Sequence, residues 1–107
     1  MRVTDAYVRR KYERFCTYWP NFDWPEFPDI DFGFRSYPGE FGSVEFTEHG
    51  VRLSLDPICQ RYSTLANATL LHEMNHIFLG HKVGHGRKFN KSLLEALNNG
   101  AIYEGVI

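Results

Sequence analysis

The sequence predicts an α+β fold: an N-terminal helix, a small three-stranded antiparallel sheet, a second helix carrying a polar motif, and a C-terminal helix. Three observations carry this expectation. Apolar residues recur at helical spacing over 3–19, alternate with polar ones between 30 and 55, and return to helical spacing from about 63 onward. With 107 residues there is room for one core, so 1–107 is read as a single domain.

The first helix is expected over 3–19, with Thr4 as N-cap, Asp5 in the first turn and Pro20 at the end. Val8, Tyr12, Phe15, Cys16 and Trp19 share its inner face, while Arg9, Arg10, Lys11 and Arg14 make the outer face basic. Residues 20–29 hold Pro20, Pro25 and Pro28 among Phe22, Trp24 and Phe27. Proline at that density blocks helix and central strand, so an ordered loop is predicted, its aromatics packed on the domain.

Ile30, Phe32 and Phe34 then alternate with Asp31, Gly33 and Arg35. Pro38-Gly39 suits a turn, and Val44 and Phe46 open a second strand. Glu48-His49-Gly50 suits a hairpin, after which Val51, Leu53 and Leu55 face one side until Asp56-Pro57. Tight connections between short strands predict antiparallel pairing throughout. Ser63 or Thr64 can cap the next helix, which runs to about Leu79 or Gly80. A final helix follows Gly84-His85-Gly86 with Phe89, Leu93, Ala96 and Leu97 on one face, and Asn98-Asn99-Gly100 stops it.

Composition narrows the function classes. A hydrophobic content of 43% and an aromatic content of 16% support a packed globular fold. No apolar run reaches the length of a membrane span, and no secretory signal is visible after Met1-Arg2, so a cytoplasmic location is expected. A net charge of −1 excludes a globally basic nucleic-acid binder. Cys16 and Cys59 are too few for a cysteine zinc ribbon and are expected to be free thiols.

The chemistry concentrates in Thr69-Leu70-Leu71-His72-Glu73-Met74-Asn75-His76, which contains HExxH. Residues four apart on a helix lie roughly 40° apart around its axis, so His72 and His76 point the same way and can grip one metal ion. Glu73 lies about 100° from His72, placed to hold a water rather than to coordinate. Leu70, Leu71, Met74, Ile77 and Phe78 cover the opposite side and can dock on a core. A catalytic zinc wants three protein ligands and an open position. The third has three candidates here: His81, if the helix breaks at Gly80; His85, between two flexible glycines; and Glu95, on the last helix. The metzincin spacing is excluded because Leu79 and Lys82 stand where it requires Gly and His.

These residues resemble those of the SprT-like metallopeptidases, the family that includes Spartan-type proteases of DNA–protein crosslink repair. The similar elements are the Thr69–His76 motif, Gly84-His85-Gly86-x-x-Phe89, and the apolar strand 51–55 before the motif helix; together they span roughly 50–95. The spacing from His76 to His85 is shorter than in many members, and Ile77 stands where a small residue is frequent. The resemblance implies a minimal zincin-like domain with Zn2+ held by His72, His76 and His85. It also implies Glu73 as the general base that takes a proton from water and returns it to the leaving amine. The expected function is therefore a zinc metalloendopeptidase acting on a protein or peptide substrate, and the resemblance extends this to DNA-associated proteins. The alternative is a catalytically weak or inactive zinc-binding module that binds a partner.

Two further expectations complete the reading. Tyr62, Tyr103 and His81 are the candidates for stabilising an oxyanion. Lys82, Arg87, Lys88 and Lys91 would put positive charge at the cleft rim, with Arg87, Lys88 and Lys91 the candidates for contact with DNA.

Overall fold

A computed structural model describes residues 2–80 and 84–107. Thr4 sits in extended backbone and its hydroxyl accepts from the Tyr7 amide at 3.2 Å, capping helix α1 (Asp5–Phe15) with Asp5 in its first turn. The helix is shorter than its apolar pattern. A 3-10 turn, Cys16–Tyr18, carries the chain on to the buried Trp19 before Pro20. Val8, Tyr12 and Phe15 are buried as the spacing predicts, and Arg9, Arg10 and Arg14 are exposed.

The proline-rich segment is ordered by its rings. Trp24 packs against Trp19 and Tyr12 with centroids 5.2 and 6.0 Å apart, and Phe22 reaches Phe78 at 5.2 Å. The loop thereby ties α1 to the second helix.

Three strands follow: β1 (Asp31–Phe34), β2 (Gly42–Thr47) and β3 (Gly50–Leu55). β2 and β3 form the expected hairpin, Thr47 opposite Gly50, whose φ of 125° suits a residue without a Cβ. The all-antiparallel expectation is wrong. The order is β1-β3-β2, and β1 runs parallel to β3, so the sheet is mixed. The reason lies in residues 35–41, which are no tight hairpin. They turn at Pro38-Gly39, bridge Tyr37 to Glu40, and step across to the far side of β3. Ion pairs hold the parallel register: Asp31 lies opposite Arg52 and accepts from its guanidinium at 2.9 Å, and Arg35 donates to Asp31 at 2.6 Å and to the Ser54 hydroxyl at 2.8 Å.

Helix α2 (Ser63–Leu79) packs on β2 and β3 and is flanked by α1 and by α3 (Arg87–Asn98). Neither Ser63 nor Thr64 caps it. Tyr62 occupies the N-cap in extended backbone without a side-chain bond, and its carbonyl accepts from the Ala66 amide. Leu70, Leu71, Met74 and Ile77 enter the core with Leu53, Leu55 and Cys59. Gly80, at φ 87°, ends α2, and Gly100, at φ 128°, follows α3. Cys16 and Cys59 are both free, and burial pushes both thiols up, Cys16 to about 11. Among the described residues no helix is long and apolar enough to cross a membrane.

Candidate metal centre

The 3.6-residue period of α2 turns its apolar residues into the core and leaves His72 and His76 half-buried on the face toward the start of α3. Three imidazoles meet there. The Nε2 of His85 lies 3.1 Å from that of His72 and 2.8 Å from that of His76, and the donor atoms of all three fall within 4.8 Å of one another. Beneath them lies the buried ring of Phe89, with centroids 4.7, 4.6 and 5.1 Å from His72, His76 and His85. Burial, then the charge of His85, lowers the pKa of His72. Burial, then His72 and His85, lowers that of His76 to about 4. Neutral rings present lone pairs.

This donor set fits a zinc ion. Zn–N bonds of about 2.0–2.1 Å at tetrahedral angles separate the nitrogens by about 3.3 Å, within a few tenths of an ångström of both Nε2 distances. Three nitrogen ligands with a face open to solvent are also the pattern of a site that keeps one position for water. Of the sequence candidates for a third ligand that fall among the described residues, His85 is the one brought to His72 and His76. Glu95 is exposed on α3 and outside the group. His81 and Lys82 lie outside the described residues.

Glu73 is 6% exposed and faces β2. Burial, with the charge of Glu40, raises its carboxyl from 4.5 to about 7. What brings strand and helix so close is Gly42, which the sequence reading passed over. A Cβ there would lie 2.6 Å from Thr69 Cγ2, 3.0 Å from Glu73 Cγ and 3.1 Å from Glu73 Oε2. Only a residue without a side chain lets β2 lie against the carboxyl. The available signal was a glycine opening a strand, which marks a close backbone approach as readily as a turn.

The site opens on a cleft of about 840 Å³ between α2 and β2. Phe41, Val44 and Phe46 line one wall, and Thr69, His72, Glu73 and His76 line the other. Among the described residues β2 is an edge strand, hydrogen-bonded to β3 on one side. Neither Tyr62 nor Tyr103 lines the cleft; they are 56% and 89% exposed elsewhere. Arg87, Lys88 and Lys91 are exposed on α3, outside the cleft lining and without ion-pair partners among the described residues. Compared with known proteins, the chain matches no family model, no curated sequence and no solved structure.

Proposed function

We propose that this chain is a zinc-dependent metalloendopeptidase, with His72, His76 and His85 holding the ion and Glu73 serving as general base. The observation that carries the reading is the meeting of three imidazole Nε2 atoms beside a buried, near-neutral carboxyl on the wall of one open cleft. When bound, zinc supplies a Lewis acid for the substrate carbonyl and brings the pKa of a water to about 7.

The chain's own residues do the rest. The Glu73 carboxyl, poised near neutrality, takes a proton from the attacking water and returns it to the leaving amine. Among the described residues the outer edge of β2 has no strand partner, and an extended peptide pairs with it through backbone hydrogen bonds while Phe41 and Val44 meet its side chains. Recognition of that kind reads backbone more than sequence. It calls for an unfolded or flexible protein segment as substrate. The motif resemblance to SprT-like metallopeptidases supports the same reading.

Glu73→Gln tests it. The amide is nearly isosteric but cannot accept the proton, so fold and metal should persist while hydrolysis of an unstructured protein falls by about 10²- to 10⁴-fold. Equal hydrolysis by the variant and the wild type would remove Glu73 from the mechanism.

A further inference from the structure

His85 is the loosest of the three imidazole carriers. Gly84, His85 and Gly86 are all exposed, and no side chain caps α3 where it begins at Arg87. The ring nevertheless stands within 3.1 Å of both partners, so its backbone must be held from elsewhere. The anchor is on α2 itself. Asn75, fully buried between the two motif histidines, donates from Nδ2 to the Phe89 carbonyl at 2.9 Å. Its Oδ1 accepts from the Ser92 hydroxyl at 2.6 Å, and the Ser92 oxygen accepts from the Trp19 indole N–H at 3.3 Å. These bonds fix the first turns of α3 and, with Phe89, the ring that backs all three imidazoles.

We propose that Asn75 and Ser92 are positioning residues: a buried clasp that holds the Gly84–Gly86 segment so that His85 meets His72 and His76. The proposal rests on the metal-centre reading and adds to it a position that HExxH leaves unspecified. A clasp on the same helical turn as the other two donors sets the third in register with them, whatever path the intervening chain takes. Such outer partners commonly govern metal affinity, their loss weakening it by about 10- to 100-fold.

A purely structural role for a buried asparagine is the competing explanation, and α2 contains its own control. Asn67, also buried, accepts from the Tyr7 hydroxyl at 2.8 Å and donates to the Glu104 and Gly105 carbonyls at 3.3 and 3.0 Å. It matches Asn75 in residue type, helix and bonding, but holds the C-terminal tail instead of the His85 segment.

The experiment is a chelator-competition titration of zinc into the metal-free full chain, with absorption spectra of the cobalt(II)-loaded proteins. Asn75→Ala and Ser92→Ala are expected to weaken zinc by about 10- to 100-fold and to move the cobalt spectrum toward that of His85→Ala. Asn67→Ala should lose stability yet keep wild-type affinity and spectrum, and Ser92→Thr, which retains the hydroxyl, should recover most of the affinity. If Asn75→Ala does not fold, Ser92→Ala carries the test. Wild-type affinity and spectrum in the clasp variants, or equal weakening in Asn67→Ala, would overturn the clasp while leaving the metal centre standing. A wild type that binds no zinc would overturn both.

Discussion

Glu73 and Glu104 are almost equally buried, 6% and 7% exposed, yet the fold treats their charges in opposite ways. Burial disfavours the Glu104 carboxylate, but hydrogen bonds from Tyr18 and Arg14 and the charges of Arg14 and Lys11 outweigh it and hold the pKa below its ordinary value. Glu73 has no hydrogen-bond or ion-pair partner among the described residues; burial and the negative Glu40 push it up instead. The first arrangement fastens the tail to α1. The second leaves a carboxyl able to gain or lose a proton near neutral pH, which is what acid–base work requires and stability does not.

The comparison predicts opposite signs for two substitutions. In the metal-free protein Glu73 ionises near 7 when folded and near its ordinary 4.5 when unfolded. Its contribution to stability is therefore fully present below 4.5 and lost as pH rises through 7, a difference of about 3 kcal/mol. Glu73→Gln cannot ionise. Its stability relative to wild type should climb by about that amount between pH 4.5 and 7 and then level off, as read from urea denaturation of metal-free samples. His76, held down at about 4, loses its contribution as pH falls below 6.5, but this acts in both proteins and cancels in the difference. A flat difference would mean that Glu73 is better solvated or partnered than its surroundings indicate.

Glu104→Gln should do the reverse and destabilise the chain by about 2 kcal/mol at pH 7. The value sits below that of a fully buried ion pair because Arg14 is 68% exposed and water screens it. Because the carboxyl's pKa is depressed in the folded state, its contribution is present above the ordinary carboxylate pKa and is lost as pH falls through the folded value. A neutral effect at pH 7 would make the cluster ornamental and weaken the contrast with Glu73.

Gly42→Ala should have the smallest effect on stability, about 1–2 kcal/mol, by forcing β2 away from Thr69 and Glu73. It should also lower hydrolysis, because the displaced strand forms the wall that packs against Glu73, the proposed general base. Unchanged stability and turnover would show that the strand is free to shift without cost.

Much of this was legible in the sequence because it is local. Thr4, Gly80 and Asn98-Asn99-Gly100 bound the helices by backbone preference, and the placement of His72 and His76 on one side of α2 follows from helical period alone. The parallel pairing of β1 was not legible. Alternation identifies a strand but not its neighbour, and residues 35–41 are long enough to lead to either side of the hairpin. The N-cap of α2 was misplaced because hydroxyls at 63 and 64 look like caps whether or not the backbone turns there. Gly42 and Asn75 escaped for one shared reason: each owes its role to a contact distant in sequence, Gly42 with Thr69 and Glu73, Asn75 with Phe89 and Ser92.

The central claim is that His72, His76 and His85 together hold one zinc ion, and metal analysis of zinc-loaded, dialysed protein tests it most directly. Wild type and Glu95→Ala should each retain one zinc per chain, while His85→Ala should lose it. Full zinc in His85→Ala, with loss in Glu95→Ala or His81→Ala, would contradict the claim and give the third position to another residue.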